Sequence, residues 1–207
     1  MRPRSSQTLI VAFICLACTG LVWARPYTDS EFLPEYCRHS RDGENVDPVM
    51  KEEYFRIFGD GFNHMHHYCR GLFALHEAAQ ITDNQNRRDG RYQRATIEFN
   101  YVLVHSPKSL VLRPEILVKK GLALLAIDRD VDAIKCFQEA VSLRPDYVPA
   151  YVALSNYLKR IGEDAEARRV LEAGLTQAPN NGFLQGKLSE LGDPKPNESD
   201  EAGRPPS

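Results

Sequence analysis

The chain has 207 residues, of which 43% are hydrophobic and 26% charged. That is enough apolar side chain for one large core or two small ones, and it excludes a wholly disordered chain and a collagen. Lys and Arg number 26 against 28 Asp and Glu, a net charge of -2, so no basic surplus exists to neutralise a polyphosphate and no nucleic-acid partner is expected.

Residues 1–24 read as an address. Arg2 and Arg4 precede a nearly uncharged apolar run from Leu9 to Trp23, and Val22 and Ala24 stand where a signal peptidase needs small residues. The pattern predicts a secretory signal peptide and a secreted or periplasmic chain after cleavage. The run is shorter than the roughly 20 residues that span a bilayer. A retained signal anchor is one alternative, and lipid attachment at Cys18 is another, although Cys15 occupies a position where a lipobox normally has Leu. Cleavage after Ala24 removes two arginines, two cysteines and no acid, leaving a more acidic chain with Cys37, Cys69 and Cys136.

Residues 25–63 carry Phe32, Leu33, Tyr54, Phe55, Ile57 and Phe58 but no periodicity on which to stack, and are expected to form a helical or irregular N-terminal cap. The run NHMHHYCRG then places His64, His66, His67 and Cys69 close together, with Cys37 upstream. In an oxidising compartment one pair among three cysteines can close. A Cys37–Cys69 disulfide would tie the cap to the following helix and contribute roughly 3 to 4 kcal/mol on the chain-entropy model. Zinc or copper held by His64, His67 and Cys69 is the alternative, since i,i+3 spacing puts His64 and His67 on one helical face. Reduced thiols with packed or solvated histidines are a third possibility. Cys136 reads as a small buried core residue.

Two consecutive 34-residue segments, 114–147 and 148–181, align without a gap. They pair Gly121 with Ser155, Leu124 with Leu158, Ala133 with Ala167, Phe137 with Leu171, Ala140 with Gly174 and Pro145 with Pro179. Small residues allow close helix approach and large ones fill the space between. Pro114 and Pro149 suit the starts of first helices, and Pro145 and Pro179 follow second helices. Asp130 and Asp164 suit N-caps. GFLQGKLSELG, 182–192, is a C-terminal capping helix with Phe183, Leu184, Leu188 and Leu191 facing back. The Pro-rich, charged stretch 193–207 is expected to be disordered, and it holds an Asn197-Glu198-Ser199 glycosylation sequon.

These paired positions are similar to the tetratricopeptide repeat (TPR) pattern, and with the leader the chain resembles an exported bacterial-type TPR protein. Gly71, Ala95, Phe99, Val102 and Pro107 keep the same intervals except that Gly71 lies further from Ala95, which implies a degenerate first unit over 64–113 with a loop inserted at 81–93. The resemblance implies an all-α fold, a short α-solenoid of helix hairpins between an N-terminal cap and a C-terminal capping helix. It also implies an exported scaffold or adaptor that binds a protein or peptide on the concave wall formed by the first helices, with possible envelope association. The wall positions are Met65, Tyr68, Leu72 and His76 in the first unit, Glu115, Val118, Leu122 and Leu125 in the second, and Val152, Asn156, Lys159 and Arg160 in the third. The groove is left open or filled by the N-terminal segment. Some TPR domains grip a terminal carboxylate with Lys and Asn, but here only Asn156 matches and Val118 stands where a polar group is needed, so that specificity does not carry over.

No catalytic constellation accompanies the repeats. HEAAQ at His76 lacks the second His of a zinc protease motif, GFLQGKLS is too short for a phosphate-binding loop, and no GxSxG or GxGxxG occurs. The expected protein is non-enzymatic and needs no cofactor.

Overall fold

The computed structural model describes residues 31–41 and 46–192; the leader, the residues around 42–45 and the tail with its sequon lie outside them. The described residues form eight α-helices: α1 Pro48–Phe58, α2 Met65–Gln80, α3 Gln85–His105, α4 Arg113–Leu125, α5 Asp130–Leu143, α6 Val148–Arg160, α7 Asp164–Gln177 and α8 Gly182–Glu190. Short 3-10 turns cover Glu35–Cys37 and Gly59–His64. No strand occurs among them. Helices α2/α3, α4/α5 and α6/α7 pair as hairpins, α3 packs on α4 and α5 on α6, and α8 closes the stack against α7 and α6. The fold is all-α, a short solenoid with a cap at each end.

Close helix approach follows from small residues set opposite rings. A Cβ at Gly71 would run into the Phe99 ring, and one at Gly121 into the Phe137 ring. Both rings are fully buried. The first hairpin therefore repeats the glycine-against-phenylalanine contact of the second, although its sequence interval is longer. In the third hairpin Gly174 takes this place, with Tyr151 Cγ 2.9 Å from where its Cβ would lie.

The turns obey the same period. Asp128 and Gly162, 34 residues apart, both hold a left-handed conformation, φ 57° and 84°, and the next residue of each turn donates its N–H back to the helix: Arg129 N to Leu124 O, 3.0 Å, and Glu163 N to Leu158 O, 2.9 Å. Asp128 satisfies at modest cost what glycine gives freely, since Asp tolerates this region better than most residues. Asp130 and Asp164 are not N-caps. They are the first residues of α5 and α7, after Arg129 and Glu163, and no side chain caps either helix; their carboxylates instead face the positive end of the helix dipole.

The expected insertion loop at 81–93 is a correction. Only 81–84 connect α2 to α3, and Asn84 accepts from Arg87 N at 2.9 Å to start a 21-residue helix. The polar stretch is the solvent face of two extra helical turns. They are held by an Arg91–Glu77 ion pair at 3.3 Å and by Tyr92, which packs on the core.

At the N-terminal end, Asp47 caps α1 by accepting from Val49 N at 2.8 Å, Pro48 follows at the first turn, and Gly59 ends the helix at φ 57°. Tyr36, Tyr54, Phe58 and Phe62 form an aromatic cluster with ring separations from 5.1 to 6.2 Å. Cys37 and Cys69 are joined, Cα atoms 5.7 Å apart, and both are fully buried. No helix among the described residues is long and apolar enough to cross a membrane.

Candidate functional site

The wall lined by the first helices divides into a covered part and an open part. On α2, Met65 and Tyr68 are fully buried. The segment 31–41 lies over Tyr68 and His76: the Tyr36 ring stacks at 6.4 Å on Tyr68, and Phe32 stacks at 3.8 Å on His76. Leu72 packs against the core, as Leu125 does on α4. Met65 and Tyr68 are thus core residues and cannot touch a partner, and over Tyr68 it is the N-terminal segment, pinned at Cys69, that fills the groove. Lys159 and Arg160 lie outside the pocket described next; Arg160 reaches toward Asp130 at 3.5 Å and lies over the Tyr157 ring.

The open part is a pocket of about 430 Å³ between α4, α6 and α8. Helix α4 contributes Glu115, Val118, Lys119 and Leu122; α6 and the residue before it contribute Tyr147, Val148, Pro149, Val152, Ala153 and Asn156; α8 contributes Phe183. Five of the twelve wall positions read from the repeats, Glu115, Val118, Leu122, Val152 and Asn156, come together there. Val118 is nearly buried and forms the floor, while Leu122 is 44% and Phe183 60% exposed. Phe183 does not face back into the stack as its helical register implied; Leu184 does, fully buried, because Asn181 caps α8 at Leu184 N (3.0 Å) and turns that residue inward. Lys119, Tyr147, Val148, Pro149, Ala153 and Phe183 are not among the wall positions read from the repeats. The signal for Phe183 was its place beside Leu184, since one of two adjacent apolar residues on a single packed helix must point outward.

The polar chemistry of the pocket centres on Glu115. The buried Tyr68 hydroxyl donates to its Oε1 at 2.6 Å. Burial, and after it the Glu115 charge, pushes the Tyr147 phenol up to about 12. Burial likewise raises the Tyr36 and Tyr68 phenols, and Glu115 adds to both. Three neutral tyrosines therefore surround one carboxylate at the junction of cap and groove.

The histidine cluster does not form the alternative metal site. Cys69 is consumed by the disulfide. His67 Nδ1 lies 2.5 Å from the buried Glu98 carboxylate, whose other oxygen receives Arg94 Nε at 2.7 Å. His67 also stacks on Tyr101 at 3.7 Å, and His64 lies beyond it beside His105. Burial, with the neighbouring His105 and His67, holds the His64 imidazole below its usual range. Among the described residues no group of three or more ligand-type side chains could hold a metal. Cys136 is buried with its thiol pushed up by desolvation, which suits a packing residue rather than a nucleophile.

Stacked helix hairpins with an apolar pocket on the concave side define the class of this chain as a helical-repeat protein. No family model matches it. Among curated proteins it is similar to a STIP1 homolog of Dictyostelium discoideum, 34% identical over 71 residues, covering 34% of this chain and 13% of that protein. It is also similar to a wheat (Triticum aestivum) Hsp70-Hsp90 organizing protein, 29% identical over 114 residues, covering 55% and 19%. The chain thus spans less than a fifth of the length of either. Among solved structures it resembles the first TPR of Spaghetti (RPAP3) bound to the HSP90 peptide SRMEEVD, with 18% identity, 60% of this chain and 94% of that chain covered, and a TM-score of 0.42. Likeness to the two curated relatives agrees with the resemblance carried by the 34-residue period.

Proposed function

We propose that this chain is a non-enzymatic adaptor, exported from the cytosol, that binds an extended segment of another protein in the pocket between α4, α6 and α8. The observation that carries the reading is the pocket itself: a preformed apolar concavity with Leu122 and Phe183 presented to solvent. A groove of this kind receives apolar anchors of a partner, and the few polar groups at its edge set orientation. The wheat relative is an Hsp70-Hsp90 organizing protein, which supports a protein partner without naming it.

A phage-displayed random peptide library tests the reading. The purified chain is expected to enrich peptides with apolar anchors, and Leu122→Asp with Val152→Asp, which place charge on the pocket wall, should weaken binding of those peptides at least tenfold, a loss of roughly 1.4 kcal/mol. Unchanged binding by a folded double variant removes the pocket from the function.

Export rests on the leader. The full chain expressed in a secretory host should be recovered beginning at Arg25, as read by N-terminal sequencing. A recovered chain that still begins at Met1 excludes cleavage. Placement in a periplasm, in the medium or at an envelope rests on the same leader and is part of this proposal.

A further inference from the structure

We infer that the segment bound by this pocket carries a cationic side chain, Lys or Arg, which docks on Glu115 beside Tyr147 while its apolar neighbours lie on Val118, Leu122 and Val152. The inference deepens the pocket reading and rests on it.

Glu115 differs from an ordinary surface carboxylate. It sits in the first turn of α4, and its Oε1 is fixed by the hydroxyl of Tyr68, a side chain with no solvent exposure, itself locked under Tyr36 and next to the disulfide. Among the described residues Oε2 has no hydrogen-bond or ion-pair partner. Nor is it a sealed, unsatisfied atom; it opens toward the pocket that Glu115 lines. An acceptor held in place from behind and open in front loses little freedom when a donor arrives, and a charge-assisted bond at such a site is stronger than one between mobile surface groups. The Tyr147 ring already carries the Arg144 guanidinium, 5.1 Å from its centroid, so it serves as an apolar wall beside Glu115, and the apolar lining keeps water from screening the pair.

Lys119 is the competing group, one turn along α4 and on the same pocket wall. It lies beyond ion-pair distance of any carboxylate among the described residues, Glu115 included. Its flexible stem lets the ammonium swing into water, whereas Glu115 stays where Tyr68 holds it. The fixed charge, not the mobile one, should set the preference. Excess acid over base in the chain as a whole works in the same direction by attracting cationic partners at long range.

The experiment reads residue preference from the same random octapeptide library and then measures individual enriched peptides by fluorescence anisotropy on wild type, Glu115→Gln and Lys119→Gln. Gln keeps an oxygen for Tyr68, so the variant retains the fold, which circular dichroism checks. Enrichment of Lys or Arg next to an apolar position, with affinity for that peptide falling about tenfold or more in Glu115→Gln while an otherwise identical peptide lacking the cation is unaffected, supports the inference. Enrichment of Asp or Glu, lost in Lys119→Gln, overturns it and leaves the pocket reading standing. Enriched peptides whose binding ignores the Leu122→Asp and Val152→Asp substitutions, or no enrichment by folded protein, overturn both.

Discussion

Replacing Phe137 by alanine is expected to destabilise the chain by about 3 to 5 kcal/mol, the range for emptying a buried phenylalanine site. The Phe137 ring has no solvent exposure and fills the space left by the missing Cβ of Gly121. Its loss removes the contact that joins α4 to α5, and α4 also packs on α3 and α6, so the damage spreads along the stack. A repeat array gains its stability from neighbours, and a domain holds only about 5 to 15 kcal/mol in total. Urea unfolding followed by circular dichroism measures the effect. Phe137→Leu should cost much less, because most of the volume remains. If the alanine variant lost under about 1 kcal/mol, the glycine-against-ring contact would not be what holds the hairpins together.

The second large effect concerns the cap. Cys37→Ser together with Cys69→Ser is expected to cost roughly 2 to 5 kcal/mol, chiefly because the unbonded chain no longer holds 31–41 near α2 in the unfolded ensemble. In the folded state the released segment uncovers Tyr68, whose hydroxyl positions Glu115, so the consequence reaches the pocket as well as the cap. Hydrogen exchange should show faster opening of α1 and the start of α2, with α6 to α8 little changed, since those helices form a separate apolar cluster around Tyr151, Leu171 and Leu184. Reductant should destabilise the wild type under denaturing titration and leave the double variant unaffected; equal stability of the two proteins in its absence would mean the bond adds nothing.

The same two substitutions mark where reading the chain as a string succeeds and where it stops. The Phe137 contact was legible because small and large residues recur at a fixed interval, and a helix pair can satisfy that recurrence in one way: the small residue of one helix under the ring of the other. Prolines at 114, 145, 149 and 179 are local signals that act within a few residues. The extension of α3 is not legible in the sequence because a polar face reads alike on a solvent-exposed helix and in a loop; Glu77, on the preceding helix α2, pairs with Arg91 only once the two helices are packed.

The candidate site divides along the same line. Its floor and walls, Val118, Leu122, Val152 and Asn156, follow from the repeat register. Met65 and Tyr68 hold equivalent positions yet lie in the core, because burial depends on what lies over a surface, and the 31–41 segment over Tyr68 is distant from it in sequence. Phe183 entered the pocket by the rotation of a single short helix.

From its order of residues alone the chain determined a stack of helix hairpins and the face those hairpins would offer, since periodicity and caps are properties of neighbours along the backbone. Only tertiary structure decided how much of that face stays open and which carboxylate is held ready within it. The cap's covering of α2, the Tyr68 bond to Glu115 and the outward turn of Phe183 each join residues from different helices, and such contacts exist only once the helices are packed.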